Sequence, residues 1–330
     1  MKRARVSRFG KPSEVIELVD IDLPAPGPGE ARIKIAASPI NPADILKCRG
    51  HYGYGESVPK MPHWAGVEGA GHVVELGAGV DNVKVGDLVN LARVEGVWGE
   101  EVIVPAARLN AFPTEADPLQ VAMLTVNPPT AELMLTDFVD LEAGDWVIQN
   151  AANSAVGHHV IRLAKARGCK SINVVRRDAL IAPLKSHGAD VVVVDGDDLL
   201  DRVAAETGGA LARLGIDAVG GAATARLAAC LAPGGTVVNY GLLSGEDCRM
   251  PPRLLVFNGI ALRGFILPGA LAARSPADVG ALYKRLLGQI MDGALAVDIE
   301  QTYPLDRIRD ALDHAERGGR SGKILIRSSL

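Results

Sequence analysis

The residues that bear most directly on chemistry lie near the middle of the chain, where an apolar segment runs into a turn of small residues. Residues 146–150 have the composition of a buried strand, and Ala152, Ser154 and Gly157 follow at the spacing of a G-x-G-x-x-G fingerprint. A helix that starts without bulky side chains lets backbone N–H groups approach an anion at its positive end. We therefore predict a pyrophosphate-binding turn. The alternative is an ordinary strand–turn–helix unit that binds nothing, because two of the three glycines are replaced.

Two arginines follow the next apolar strand, which we place at 171–175. In a dinucleotide-binding unit this place usually holds an acidic residue that binds the ribose 2′-hydroxyl, whereas a guanidinium suits a 2′-phosphate. Arg176 and Arg177 therefore predict NADPH rather than NADH as the cofactor, and hence a reductase. Arg176 is the preferred phosphate ligand, and a solvated side chain is the alternative for Arg177.

Size and composition fit a soluble globular protein. A chain of 330 residues can form two domains, and its formal net charge of −4 gives no electrostatic case for nucleic acid. No apolar run has the length of a membrane span, and the basic N-terminal residues are not followed by the apolar core of a signal peptide. The four cysteines are scattered without a C-x-x-C pair, which argues against disulfides and a structural zinc site. We expect a cytoplasmic protein.

The elements that must position the turn fall into two domains. The first 120 residues read as short strands separated by glycine and proline, which indicates a partly open β-barrel. Strands are predicted there at 31–36, 71–76, 87–91 and 101–105. The pattern then changes to alternating strands and helices, which predicts a parallel sheet covered on both faces. Its strands are predicted at 146–150, 171–175, 191–195, 216–219, 235–240 and 261–267, and its helices at 155–167, 222–231 and 276–291.

The last elements are predicted to return to the first domain as a helix at 305–317 and a strand at 323–327. The predicted division is therefore a catalytic domain of residues 1–124 and 296–330, and a cofactor domain of residues 125–295. Ligands of open α/β sheets bind beyond the carboxyl ends of the strands. We expect the cofactor to face a cleft between the domains, with the substrate approaching from the barrel.

Short segments in a fixed order along nearly the whole chain carry a family resemblance. They include Asn-Pro-Ala-Asp-Ile at 41–45, Gly-His-Tyr-Gly at 50–53, Gln-Asn-Ala-Ala-Asn-Ser at 149–154 and Ile-Asn-Val-Val-Arg at 172–176, with further matches at 124–128, 130–131, 234–236, 240–241 and 262–265. In these segments the chain resembles the zinc-independent medium-chain dehydrogenase/reductase superfamily, and within it the trans-2-enoyl thioester reductases of the mitochondrial type. The resemblance implies a GroES-like barrel domain joined to a Rossmann domain, an α/β fold with a doubly wound parallel sheet.

The resemblance also implies a chain without a catalytic metal. Asn41 stands where the zinc-dependent alcohol dehydrogenases carry a cysteine, and Val67 replaces the histidine of their Gly-His-Glu motif. Cys48 and His63 as substitute ligands are the less favoured alternative. Without a Lewis acid, reduction of a C=C bond conjugated to a carbonyl is the more accessible chemistry, because the carbonyl already makes the β-carbon electrophilic.

Tyr52 is the residue that the resemblance assigns as proton donor, since it matches the family's tyrosine acid. A phenol with a pKa near 10 stays protonated at neutral pH and can donate to a carbanion-like α-carbon. From the residues alone, Tyr54 is equally placed, and His51 is a further competing acid.

Cofactor contacts are carried over from the family residue by residue. Short polar groups at the turn suit the pyrophosphate, and the segments after two later strands would flank the nicotinamide and its ribose. The expected contacts are Asn41, Asn127, Thr130, Asn153, Ser154, Ala155, Val156, Arg176, Arg177, Asp178, Tyr240, Gly241, Leu242, Leu243, Phe265, Ile266, Leu267, Pro268 and Lys323. Ile266 departs from the family's tryptophan, which affects the wall beside the nicotinamide or the acyl chain.

The leading hypothesis is therefore NADPH-dependent reduction of trans-2-enoyl thioesters, carried by coenzyme A or acyl carrier protein, in fatty acid metabolism. The second hypothesis is a quinone or general enone reductase that needs no dedicated proton donor. A third is a structural protein that binds NADPH without turnover. The superfamily implies a homodimer formed through the edge strand near 261–267, because an apolar edge is prone to associate.

Overall fold

The computed structural model describes residues 1–53, 55 and 58–328, which form two compact units. The first unit comprises Met1–Val126 and Leu286–Leu330, and the second comprises Asn127–Arg285.

The first unit begins with short strands and helices that alternate with tight turns. In chain order they are β1 Lys2–Val6, α1 Pro12–Val15, β2 Ile16–Asp20, β3 Glu30–Pro39, α2 Pro42–Arg49, β4 His63–Trp64, β5 Glu68–Leu76, β6 Leu88–Ala92, β7 Glu101–Pro105, β8 Ala111–Phe112 and α3 Pro118–Val121. The second unit then takes over with a different pattern. It contains α4 Asn127–Thr136, β9 Trp146–Gln149, α5 Ala155–Ala166, β10 Lys170–Val175, α6 Ile181–Ser186, β11 Val191–Val194, α7 Leu199–Thr207, β12 Ala212–Asp217, α8 Ala222–Ala229, β13 Leu231–Asn239, α9 Pro252–Val256, β14 Ala261–Gly264 and α10 Leu267–Ala272.

The remaining elements lead back to the first unit. They are α11 Pro276–Met291, which crosses the boundary between the units, β15 Ile299–Pro304, α12 Ile308–Glu316 and β16 Lys323–Arg327.

Strand β3 organises the barrel-like unit. Its alternate residues Ala31, Ile33 and Ile35 are buried, whereas Lys34 between them is exposed, as the period of a half-buried strand requires. β3 pairs antiparallel with β5, β7 and β16, and the sheet path runs β15-β16-β3-β5-β6-β8. The last strand of the chain is therefore a neighbour of one of the first.

The second unit is built on a parallel sheet in the order β11-β10-β9-β12-β13-β14. The valine- and isoleucine-rich strands are buried on both faces, as expected for a parallel sheet covered by helices. Strand order reverses between β9 and β12, which is the switch point where doubly wound sheets bind ligands. The predicted fold class, a GroES-like domain and a Rossmann sheet, is confirmed.

Several predicted bounds were wrong, each for a local reason. The strand predicted at 216–219 ends at Asp217, because Gly220 and Gly221 then turn the chain with positive φ angles of 77° and 59°. The strand predicted at 261–267 ends at Gly264, since Pro268 opens helix α10.

The helix predicted at 222–231 ends at Ala229, because Leu231 already pairs with Ala212 as the first residue of β13. That strand accordingly starts earlier than the predicted 235–240. In the part of the chain that the structure describes, no helix is both long enough and apolar enough to span a bilayer.

Candidate functional site

The predicted pyrophosphate turn joins β9 to α5, and Ser154 closes it. Ser154 has extended backbone angles and serves as the N-cap of α5, its hydroxyl accepting a hydrogen bond from the Gly157 N–H at 3.1 Å. A Cβ on Gly157 would lie 2.3 Å from the Ala152 carbonyl oxygen, so only glycine allows the helix to pack this closely on the turn. The one glycine that the fingerprint keeps is therefore the one that packing demands.

Ala151, at the start of the same turn, holds a left-handed backbone with φ of 47°. A residue with a Cβ is uncommon in this region, and such strain is concentrated at ligand-binding turns. The chain thus keeps the backbone shape of a glycine-rich turn with an alanine in it.

Tyr240 lies beside this turn, because its side chain forms a hydrogen bond with Ser154. Burial raises the pKa of Tyr240 well above its ordinary value, as does the nearby Asp217 charge, so the phenol remains protonated. Two predicted cofactor contacts that are far apart in sequence are thereby brought together.

Asp217 anchors the carboxyl ends of the central strands, and sequence reasoning did not single it out. Its fully buried carboxylate accepts hydrogen bonds from the Nδ2 of Asn150, the residue that follows β9, at 2.6 Å and from Thr224 Oγ1 at 2.6 Å. Asn239 Nδ2, at the end of β13, donates to it at 3.2 Å, and the backbone N–H groups that follow β12 donate as well. One acid therefore ties together three neighbouring strand ends. The signal in the sequence was an aspartate between a strand and a Gly-Gly pair.

The other predicted cofactor contacts of this unit follow strand ends too. Arg176, Arg177 and Asp178 come directly after β10 and are exposed. The segments 240–243 and 265–268 follow β13 and β14, which pair through Asn239 and Gly264. They present apolar side chains to solvent, with 45% of Leu242, 57% of Leu243 and 58% of Ile266 exposed. Exposed apolar side chains beside strand ends suit a ligand surface.

Gly241 within this segment is required by packing, since a Cβ there would lie 2.6 Å from the Ala218 carbonyl oxygen. Phe265 packs edge-on against Phe138, with ring centroids 6.3 Å apart. The other predicted contacts lie at the starts of helices. The turn before α5 contains Asn153, and the first helical turn of α5 contains Ala155 and Val156. Helix α10 begins with Leu267 and Pro268, and α4 contains the buried Asn127 and Thr130.

In the first unit, helix α2 positions Tyr52. A capping box joins Asn41 and Asp44 at the start of the helix, with Asn41 N donating to Asp44 Oδ2 at 2.9 Å. Gly50 ends the helix in the left-handed conformation, with φ of 74°. Tyr52 follows two residues later and is partly buried, whereas His51 is exposed and Tyr54 lies outside the described residues. The sequence analysis did not predict this short helix.

Burial is the main cause that raises the pKa of Tyr52, and the negative charge of Asp44 raises it further. Arg93 acts in the opposite direction. The phenol is therefore fully protonated at neutral pH, which is the state that a proton donor needs.

Asn41 and Lys323, both predicted as cofactor contacts, meet in a buried polar network of the same unit. Lys323 Nζ donates to Asn41 Oδ1 at 2.6 Å and to the Ile40 carbonyl at 3.0 Å. Asn41 Nδ2 in turn donates to Glu68 Oε2 at 2.8 Å. Burial lowers the pKa of Lys323 to about 8 and raises the pKa of Glu68.

Glu68 is the second residue whose role the sequence did not reveal. Its other oxygen, Oε1, accepts hydrogen bonds from Thr125 N at 2.8 Å, Thr125 Oγ1 at 3.0 Å and Val126 N at 2.7 Å. The residue was visible only as the acid that follows Val67. Its partners come from positions far apart in the chain, which no local pattern specifies.

Two family models match the chain in agreement with this architecture. The model described as the alcohol dehydrogenase GroES-like domain matches residues 27–114, and that described as zinc-binding dehydrogenase matches residues 155–283. Among solved structures, a candidate NADPH:quinone reductase of Bacillus thuringiensis is similar with a TM-score of 0.91 and 27% identity, covering 99% of both chains. The quinone oxidoreductase of Escherichia coli complexed with NADPH is similar with a TM-score of 0.88 and 25% identity, covering 99% of this chain and 100% of that one.

Curated relatives are more similar in sequence. The mitochondrial enoyl-[acyl-carrier-protein] reductase of Rattus norvegicus is 36% identical over 92% of this chain and 82% of its own length. The human protein of the same name is 35% identical over 96% and 86%. These relatives are mitochondrial, so the expectation of a cytoplasmic location is wrong. The chain belongs to the medium-chain dehydrogenase/reductase superfamily and, within it, to the family of the mitochondrial enoyl-[acyl-carrier-protein] reductases.

Proposed function

We propose that this protein is an NADPH-dependent reductase of trans-2-enoyl thioesters. The observation that carries the proposal is that Tyr52 is protonated and follows the C-terminal end of helix α2, at the position of the family's acid. The chain is 36% identical to an enoyl reductase. NADPH is the expected cofactor because an anion-binding turn and the exposed Arg176 occur together, and because a similar quinone oxidoreductase is complexed with it.

The residues of the second unit fit this cofactor. The Ser154 turn and the N-terminus of α5 would bind the pyrophosphate, and Arg176, with Arg177 beside it, would bind the 2′-phosphate. Tyr240 and the segment at Phe265 would border the nicotinamide ribose and ring. When bound, NADPH supplies a hydride to the β-carbon of the substrate.

Tyr52 would supply the proton. Hydride addition moves the C=C electron pair toward the thioester carbonyl, and the α-carbon then takes the phenolic proton. We assign the first unit, Met1–Val126 with Leu286–Leu330, to this catalytic role and the second, Asn127–Arg285, to cofactor binding, whereas the sequence predicted a cofactor domain of residues 125–295. The carrier of the acyl group, coenzyme A or acyl carrier protein, is part of the same proposal.

The decisive experiment compares initial rates of NADPH oxidation with trans-2-hexenoyl-CoA, trans-2-hexenoyl-acyl carrier protein and 9,10-phenanthrenequinone, and repeats them with NADH. We expect turnover of the thioesters with a preference for NADPH. We also expect Tyr52→Phe to lower kcat about a hundredfold, since general acid catalysis typically contributes 10²–10⁴-fold. Full activity in Tyr52→Phe would remove the acid assignment.

A quinone or enone reductase is the second candidate. The TM-score of 0.91 to the candidate NADPH:quinone reductase favours it, as does Ile266, whose exposed side chain leaves more room than a tryptophan. Turnover of the quinone alone, unchanged in Tyr52→Phe, would establish this function instead.

We further propose a homodimer formed through strand β14. This strand is at the edge of the described sheet, and helix α9 next to it in the chain exposes apolar side chains, with Val256 72% and Phe257 83% exposed. A similar 2-enoyl thioester reductase from Candida tropicalis is a heterodimer, with a TM-score of 0.85 and 25% identity over 99% of both chains.

A further inference from the structure

Lys47 lies against the ring of Tyr52, and the end of helix α2 explains how. The Gly50 N–H donates to the Lys47 carbonyl at 3.2 Å, and the His51 N–H donates to the Leu46 carbonyl at 2.9 Å. This left-handed helix end reverses the chain. Tyr52 therefore comes back beside the last helical turn, with the Lys47 Nζ 5.4 Å from its ring centroid.

The charges around this ring are few and of both signs. Asp44, on α2, raises the pKa of Tyr52, and Arg93, just after β6, lowers it. Lys47 also borders a small cavity together with Asp44, Cys48 and His63. Burial lowers the pKa of His63, the charge of Lys47 lowers it further, and Glu95 acts in the opposite direction.

We propose that Lys47 is a positioning residue for Tyr52, which holds the phenol ring and stabilises the phenolate that forms when the proton is given up. The proposal rests on the proposed function, in which Tyr52 is the acid. A cation over an aromatic face attracts the neutral ring and attracts the phenolate more strongly.

The reduction needs no reactant other than NADPH, the enoyl thioester, the Tyr52 proton and solvent. With NADPH bound, the cofactor would supply a hydride to the β-carbon, and the C=C electron pair would become available at the α-carbon. The Tyr52 O–H bond then breaks, a C–H bond forms at the α-carbon, and the electron pair stays on the phenolate oxygen. Solvent then returns a proton to Tyr52.

The first test measures Tyr52 itself by NMR titration of protein labelled with [¹³Cζ]tyrosine. The chain has five tyrosines, and the resonance lost in Tyr52→Phe identifies the one in question. We expect Lys47→Met to raise the pKa of Tyr52 by about half a unit, since two opposite unit charges roughly 6 Å apart in water attract each other by about 0.7 kcal/mol. Lys47→Arg should leave the titration unchanged.

The matched control is Arg49, which lies in the same last turn of α2 but forms its ion pair with Glu316. Arg49→Met removes a charge of the same sign from the same helix end, so it tests any general effect of the helix terminus. We expect it to leave the Tyr52 titration unchanged. An unchanged or lowered pKa of Tyr52 in Lys47→Met, or an equal rise in Arg49→Met, would overturn the proposal.

The second test is kinetic and uses the full-length enzyme with NADPH and the enoyl thioester. In Lys47→Met the alkaline limb of kcat should move to higher pH, because a less acidic phenol stays protonated longer. At neutral pH kcat should fall about threefold, with KM for NADPH unchanged, and Lys47→Arg should restore it. If Tyr52→Phe were fully active, the assignment of Tyr52 as the acid in the proposed function would fail, while the titration would still decide whether Lys47 acts on Tyr52.

Discussion

At the scale of single residues, we propose that the side chain of Arg176 determines the preference for NADPH over NADH. Arg176 is exposed at the end of β10, where a 2′-phosphate would bind. We predict that Arg176→Ala raises KM for NADPH about tenfold to a hundredfold, since a hydrogen bond to a charged group contributes roughly 1.5–3 kcal/mol. KM for NADH should not change.

Steady-state kinetics with both cofactors tests this prediction. Arg177→Ala should raise KM for NADPH by less than Arg176→Ala does, because Arg176 is the preferred phosphate ligand. Equal losses with NADPH and NADH would mean that Arg176 supports the fold and does not read the phosphate.

The buried Lys323 predicts a dependence of stability on pH. Burial lowers its pKa to about 8 from 10.5, so between these values the unfolded chain binds more protons than the folded one. The contribution of Lys323 to the free energy of unfolding therefore rises with pH across this window. We predict that wild type gains stability relative to Lys323→Met between pH 7.5 and pH 9.5, as measured by urea unfolding.

At pH 7.5, Lys323→Met should itself cost about 3 kcal/mol, because it leaves the buried Glu68 without a compensating charge. The double variant with Glu68→Gln should recover part of this loss. If the double variant were as unstable as the sum of the two single ones, Lys323 and Glu68 would not be coupled.

At the scale of secondary structure, glycine in a helix has opposite consequences at two places. A Cβ added to Gly157 in α5 would lie 2.3 Å from the Ala152 carbonyl oxygen, whereas a Cβ added to Gly288 in α11 would have nothing within 4 Å. We predict that Gly157→Ala destabilises the protein by more than about 2 kcal/mol and weakens NADPH binding. Gly288→Ala should stabilise it by about 1 kcal/mol, the difference in helix propensity.

Thermal unfolding with and without NADPH separates these effects. Gly288→Ala should keep the same shift on adding cofactor, whereas Gly157→Ala should lose it. A Gly157→Ala variant with wild-type stability and cofactor response would show that α5 can move away from its turn.

The sequence predicted elements whose ends are marked locally. The bounds of β7, β16 and α11 agree with the predicted 101–105, 323–327 and 276–291, because charged residues, Gly or Pro stand at their ends. Helix α2 was missed, since its few residues show no apolar periodicity and its start depends on a capping box. The sequence could not predict that Asp217 and Glu68 each accept several hydrogen bonds, because the donors are far apart in the chain and only the folded sheets bring them together.

For the whole molecule, association is the property that most needs a test. We predict that Phe257→Glu lowers the mass measured by light scattering toward that of one 34.6 kDa chain. A buried unpaired charge at an interface is costly, whereas on a free surface it would be neutral. Leu211→Glu is the control, since this exposed leucine precedes β12 and is far in sequence from α9. A dimer that persists in Phe257→Glu would exclude this surface as the interface.

The arrangement of strands along the chain also sets the order in which the protein can fold during translation. β3 is made before the second unit, but its neighbour β16 leaves the ribosome only after the whole second unit, and Lys323 of that strand completes the network of Asn41 and Glu68. The nucleotide-binding unit is contiguous in sequence and can fold while synthesis continues. During that interval the edge of β3 that pairs with β16 has no partner strand, and Glu68 lacks the opposite charge of Lys323. The first unit can therefore be completed only after the second.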